Sequence, residues 1–210
     1  MLAPAVRRQL TAQLEDARRR GMVGPGPVEA HLEHAEALAA AVAPDFHGRF
    51  LDLGSGAGVP GLILLALWPT ATGVLLDARR RRCSFLESAV GALDLADRVS
   101  VACGRAEELA RDGEFRGAFE LVVARGFGAP ATTAECAVGF LVQGGRLAVS
   151  EPPGEPDPTR WPKAGLDELG LLGPEVRGSE GGRVAVLTSA GPPGARWPRP
   201  VGVPGHRPLW

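Results

Sequence analysis

Three glycines at alternate positions stand out first, in the segment Phe50-Leu51-Asp52-Leu53-Gly54-Ser55-Gly56-Ala57-Gly58-Val59-Pro60-Gly61. They fall between an apolar run and a stretch of helical period. Glycine enters φ > 0 freely and lets main chain approach a ligand without a Cβ clash. The amides that open the following helix are free to receive anionic or polar ligand atoms. Pro60 fits near that first turn, where a missing N–H costs little. Asp77 closes the next apolar run, about 20 residues on, where a carboxylate accepts hydrogen bonds from ribose hydroxyls. Loop and acid together describe a site for a nucleoside cofactor.

Both NAD and S-adenosylmethionine use this arrangement. A short-chain dehydrogenase needs a tyrosine and a lysine to move a proton at its carbonyl oxygen. The chain has no Tyr, and its 23 basic residues include a single lysine, Lys163. The spacing GxGxG in place of GxGxxG and the lead-in Asp52-Leu53-Gly54-Ser55-Gly56 also favour S-adenosylmethionine. Cys83, Cys103 and Cys136 are odd in number and widely spaced without a CxxC, which suggests neither a disulfide framework nor a zinc site. A reducing compartment is expected, and no metal.

The elements that must hold this loop are read from hydrophobic period. Residues 3–20 form an Arg-rich helical pattern, broken by Gly21-Met22-Val23-Gly24-Pro25-Gly26-Pro27, and a second helix runs over 28–42. Strands are expected at 50–53, 72–77, 98–103, 119–124 and 145–150. Helices fit between them at 60–68, 79–93, 106–111 and 130–141, the alternation of a parallel α/β sheet. Residues 151–163 read as loop and 164–172 as a short helix. Two further strands, 175–180 and 182–189, surround a turn at Glu180-Gly181-Gly182. Five βα units ending in a hairpin give the order of a seven-stranded methyltransferase sheet. The expected organisation is a helical extension over 1–48, a Rossmann-like domain over 49–190 and a Pro/Gly/Arg-rich strap over 191–210.

The chain has 210 residues, 45% hydrophobic and 22% charged, with a formal net charge of −1. One soluble domain with appendages fits; a fibrous protein does not. The start lacks a signal peptide's apolar stretch, and no apolar run approaches the roughly 20 residues a bilayer requires. A cytoplasmic monomer without membrane contact is expected. Overall neutrality gives no broad electrostatic drive toward nucleic acid. Local basic features are the run Arg79 to Arg82 and the tail arginines Arg196, Arg199 and Arg207, either of which could track RNA. His31 and His34 are three apart and share a helix face; with no third ligand they suit solvated or capping roles better than a metal.

These residues resemble the bacterial small-subunit ribosomal RNA guanine-N7 methyltransferases, also called glucose-inhibited division protein B. The family's cofactor loop has the form DxGSGAGxPG, which Asp52 to Gly61 reproduces. Its LLD block with a following Lys-Arg pair and Phe-Leu is matched by Leu75-Leu76-Asp77 and by Arg81, Arg82, Phe85 and Leu86. Arg105-Ala106-Glu107 matches an Arg-Ala-Glu element that flanks the adenine. Ala124-Arg125-Gly126 matches Ala-Arg-Ala, whose arginine is a cofactor- or substrate-side residue. The tail from Arg196 to Leu209 is similar to a Tyr-Pro-Arg-x-x-Gly-x-Pro signature, with Trp197 for Tyr. Gly21-Met22-Val23-Gly24-Pro25 resembles a Gly-Leu-Ile-Gly-Pro stretch.

The resemblance implies a class I methyltransferase that uses S-adenosylmethionine on 16S ribosomal RNA in the 30S subunit. It implies a cofactor set of Asp52, Gly54, Ser55, Gly56, Gly58, Val59, Asp77, Ala106, Glu107 and Arg125, with Arg125 also placing the methyl group or substrate. Two places depart from the pattern. His-x-x-Asp/Asn-Ser becomes His31-Leu32-Glu33-His34-Ala35, and Lys-Gly after the fifth strand becomes Ser150-Glu151. Those changes keep two alternatives open: a methyltransferase acting on another RNA or a small molecule, and a catalytically silent S-adenosylmethionine-binding protein that docks on RNA or a partner.

Overall fold

A computed structural model describes residues 2–24, 26–155, 157–178 and 182–210. Helix α1 (Pro4–Arg19) opens on a proline at its first turn and is capped by Arg20, followed by Gly21, whose φ of +68° is the left-handed conformation glycine adopts without strain. Helix α2 (Val28–Val42) buries Leu32, Ala35, Leu38, Ala39 and Val42 on one face, the helical spacing of an amphipathic stripe. Alternating elements follow: β1 (Arg49–Leu53), α3 (Gly61–Leu67), β2 (Thr72–Asp77), α4 (Arg80–Ala92), β3 (Val99–Cys103) and α5 (Ala106–Leu109). The second half comprises β4 (Phe119–Ala124), α6 (Pro130–Val138), β5 (Leu141–Ser150), α7 (Lys163–Leu169), β6 (Leu171–Arg177), β7 (Val184–Ser189) and α8 (Val203–His206).

The strands form one sheet in the order β3-β2-β1-β4-β5-β7-β6, parallel except where β7 runs against both neighbours. Strand alternation divides the core between its faces. Phe50, Leu75, Leu121, Val123, Ala148 and Val186 pack with α1 to α4. Leu51, Leu53, Leu76, Val122, Leu147 and Leu187 pack with α6, α7 and the C-terminal strap. The sheet is therefore the middle of three layers, the fold class the sequence implied. The strand order reverses between β1 and β4, so the crevice for ligands lies at their carboxyl ends.

Several expectations need correction. The helix expected over 164–172 stops at Leu169, because Gly170 takes φ +69° and caps it. Strand β6 consequently starts at Leu171, not at 175, and β5 starts at Leu141, not at 145, through an irregular register opposite Phe119 and Leu121. Glu180 and Gly181 of the expected turn, and Pro25 of the break after α1, lie outside the described residues. Two cysteines do pair: Cys83 and Cys103 form a disulfide with Cα atoms 5.8 Å apart. The register that sets Asp77 against Cys103 carries Cys103 to the first turn of α4, where Cys83 stands.

The strap is held by side chains, with one helical turn in α8. Buried Glu135 accepts from the Arg199 main-chain N–H at 2.8 Å and from its guanidinium at 2.8 and 2.6 Å. Arg116 donates to the Trp197 and Pro193 carbonyls, both at 3.0 Å. Arg199 therefore anchors the strap to α6.

Candidate active site

The glycine loop leaves β1 at the point where the strand order reverses. Gly54 and Ser55 donate their amides to the Leu76 carbonyl at 2.9 and 2.8 Å, tying the loop to the end of β2. Gly54, Gly56 and Gly58 have φ of +77°, +58° and +85°, which is why the sequence needs glycine at these positions. A Cβ on Gly54 would stand 2.7 Å from the Phe127 ring, and one on Gly58 would strike Leu62. Behind the loop, Asp52 is fully buried and its Oδ2 accepts from the Gly61 amide at 2.9 Å, pinning the start of α3. Its Oδ1 has no partner among the described residues. Burial pushes the Asp52 pKa up to about 7; the Gly61 and Ser55 hydrogen bonds oppose the rise.

Asp77 ends β2 nearly buried. Its Oδ2 accepts from the Gly56 amide at 3.0 Å and from the Arg82 guanidinium at 3.3 Å, and its Oδ1 from the Arg79 amide at 2.9 Å. A carboxylate has about four acceptor sites, so these three bonds leave room for one more donor. Ala106 and Glu107 open α5 beside it. Burial would raise the Glu107 pKa, but the Arg105 side chain and the Gly202 amide on Oε1, at 2.8 and 3.0 Å, outweigh it and hold the pKa low. Glu107 therefore also anchors the strap.

Three cavities meet here. One of about 370 Å³ is lined by Gly54, Ser55, Gly56, Ala57 and Val59 with His31, Arg82 and Arg125. A second of about 190 Å³ lies between Asp77, Arg105, Ala106, Glu107 and Phe127, and shares Gly54, Arg82 and Gly126 with the first. The third, about 480 Å³, lies beyond Arg125 and is bordered by His34, Ser150, Glu151, Arg160 and Arg183. Arg125 lines the first and third, so it forms their common wall. Its guanidinium is 2.9 Å from His31 Nδ1, and His34 Nε2 is 2.8 Å from Ser150 Oγ.

Residues 28–150 match the family model GidB, rRNA small subunit methyltransferase G. A ribosomal RNA small subunit methyltransferase G of Roseiflexus castenholzii is 33% identical over 79% of this chain and 72% of its own length. Its counterpart in Thermotoga neapolitana is 33% identical over 85% and 79%. The chain belongs to this family. Among solved structures, an S-adenosylmethionine-dependent O-methyltransferase from Thermotoga maritima superposes with a TM-score of 0.55 at 14% identity, covering 84% of this chain and 71% of that one. An O-methyltransferase family protein from Burkholderia thailandensis gives 0.56 at 18%, over 78% and 56%. At these identities the likeness carries the fold alone.

The GidB family's cofactor fits the residues present. The two connected cavities on the glycine-loop side run from a cradle of main-chain amides, past an Asp77 carboxylate with a spare acceptor site, to the Ala106-Glu107 corner. That succession suits an amino-acid end, a ribose and a base. All ten residues the sequence nominated lie at or directly behind this edge of the sheet, Asp52 behind it. Sequence reasoning missed Arg82, which reaches Asp77, and Phe127, which roofs Gly54. It also gave His31 and His34 solvated or capping roles, whereas both reach across to other elements. Their shared helix face was the available signal; their partners, 94 and 116 positions away, were not visible in it.

Proposed function

We propose that this protein transfers the methyl group of S-adenosylmethionine to N7 of a guanine in 16S ribosomal RNA of the small subunit. The observation that carries the reading is the position of Arg125, which stands between the connected pair of cavities on the glycine-loop side and the outer one. Family membership supports the RNA substrate. Gly54, Ser55, Gly56, Gly58 and Val59 would surround the methionine end, with Asp52 fixing the loop from behind. Asp77 would accept from the ribose, and Ala106 and Glu107 would face the adenine. When bound, S-adenosylmethionine supplies the electrophilic methyl group.

Guanine N7 has an in-plane lone pair and carries no proton, so its methylation needs no general base. Placing the lone pair in line with the methyl group suffices. The site accordingly supplies walls and donors. No helix among the described residues is long and apolar enough to cross a membrane. The ribosomal RNA substrate supports reading the protein as cytoplasmic.

Calorimetry with S-adenosylmethionine tests the cofactor, and incorporation of labelled methyl groups into isolated 30S subunits tests the substrate. Binding together with incorporation at a guanine N7 is expected. Absence of binding overturns the whole reading, and binding without incorporation overturns the substrate. One observation favours a second reading, methylation of another RNA or a small molecule: the outer cavity presents the His34–Ser150 pair where the family pattern has an acid or amide and a lysine.

A further inference from the structure

His31 of α2 and Arg125 at the end of β4 meet where the glycine-loop cavity joins the outer one. A guanidinium has donors only and does not give up its proton. The 2.9 Å contact between Arg125 Nη2 and His31 Nδ1 therefore requires Nδ1 to accept. That fixes the imidazole as the neutral tautomer with its proton on Nε2. Nε2 is buried and has no partner among the described residues, so Arg125 is the one hydrogen-bond contact that orients this ring.

Protonating the ring would set an N–H on Nδ1 against an N–H of Arg125 and add a second positive charge. The groups acting on His31 oppose that. Burial comes first, then Arg125 from the turn after β4, His34 one turn along α2 and Arg18 of α1, and together they hold its pKa below the usual 6.5. Arg82 of α4 borders the same cavity. Asp52 acts on Arg125 from beneath the loop. Among the described residues no carboxylate acts on the ring to reverse the sign.

We propose that His31 is a positioning residue for methyl transfer: its neutral imidazole holds Arg125 in the wall between cofactor and acceptor base, and protonation releases it. The role rests on the cofactor and substrate reading above. The test measures kcat and KM for methylation of 30S subunits at saturating S-adenosylmethionine between about pH 5.5 and 8. Wild type, His31→Asn and His31→Leu are compared. Wild-type kcat is expected to fall on the acid side with an apparent pKa below 6.5. His31→Asn keeps an acceptor that does not titrate, so it should retain the neutral-pH rate within about threefold and lose the acid limb. His31→Leu should lose roughly tenfold in kcat at neutral pH, the usual effect of removing a hydrogen bond to a charged group, and show no acid limb because the contact is already absent, with KM little changed.

Long-range ¹H–¹⁵N spectra of the full chain give a readout independent of turnover. The wild-type ring should show the Nε2–H tautomer and titrate below 6.5, and Arg125→Met should move that titration upward. An acid limb that persists in His31→Asn, an unimpaired His31→Leu or an Nδ1–H tautomer in wild type overturns the proposal while leaving the substrate reading intact. A wild-type protein that methylates no 30S subunit overturns both.

Discussion

On the glycine-loop side of Arg125 the walls are held by main-chain contacts between segments close in sequence. Gly61 donates to Asp52 nine residues back, Gly56 to Asp77 21 residues on, and Gly54 and Ser55 to the Leu76 carbonyl. In the shared wall and on the outer side the contacts join side chains from distant segments, His31 to Arg125 in the wall itself and His34 to Ser150 beyond it. Trp161 and Arg160 add shorter-range side-chain contacts to Glu151 there, at 3.0 and 2.8 Å. Departures from the family pattern include His34 and Ala35 of α2, Ser150 and Glu151 at and just after the end of β5, Gly126 beside Arg125 and Trp197 in the strap, and none falls in the glycine loop. A main-chain cradle changes shape when its glycines change, whereas a wall of side chains can be relined one residue at a time. On the proposed function, the first side would hold the cofactor and the second would be where substrate choice is set.

If the cofactor side is built for shape, the Asp52 carboxyl costs stability for what it pins. Burial raises its pKa to about 7 from 3.8. Between those values the folded chain keeps a proton that the unfolded chain has lost. Its contribution is fully present below about pH 4 and is lost as pH rises through about 7. At about 1.4 kcal/mol per unit, the ceiling is about 4 kcal/mol. Urea unfolding of Asp52→Asn between pH 4 and 8 should show a shallower decline than wild type by up to that amount. Equal slopes would mean that the carboxyl ionises freely within the fold and that the pin carries no electrostatic cost.

The next largest effect separates the sides directly. Asp77→Ala removes the acceptor for the Gly56 and Arg79 amides and for Arg82, and with it the proposed ribose partner. S-adenosylmethionine affinity should fall about 100-fold in calorimetry, equivalent to about 2.7 kcal/mol. Binding of 30S subunits without cofactor should change by less than about twofold, as expected for sites without shared partners. A parallel loss of subunit binding would show that the glycine-loop side also shapes the RNA surface, and would break the comparison.

This division also governs what the sequence disclosed. Strands β2 and β4 were legible to the residue, and the loop was legible because local spacing encodes local main-chain geometry. Leu171 and Leu172 read as the end of a helix because apolar pairs suit either structure, although Gly170 carried the stop signal. Cys83 and Cys103 are 20 positions apart, and only the parallel register of β2 with β3 brings them together. Arg199 looked like one of several exposed tail cations because nothing local shows that buried Glu135 waits for it 64 positions upstream. The outer wall was the least legible part for the same reason: its contact between His34 and Ser150 depends on the finished fold.

The smallest effect probes that wall alone. Ser150 Oγ lies 2.8 Å from His34 Nε2 across the 480 Å³ cavity edge, one hydrogen bond between neutral-capable groups and far from the glycine loop in the chain. Ser150→Ala removes it without adding bulk or charge. A single such bond contributes about 1 kcal/mol, so kcat/KM for 30S methylation should fall about fivefold. S-adenosylmethionine affinity should stay within about twofold, since Ser150 lines neither cavity on the cofactor side. A fall in cofactor affinity of the same size would mean that strain at Ser150 passes through His34 and α2 to His31 and Arg125. The two sides would then be one coupled wall, with α2 as the element that joins them.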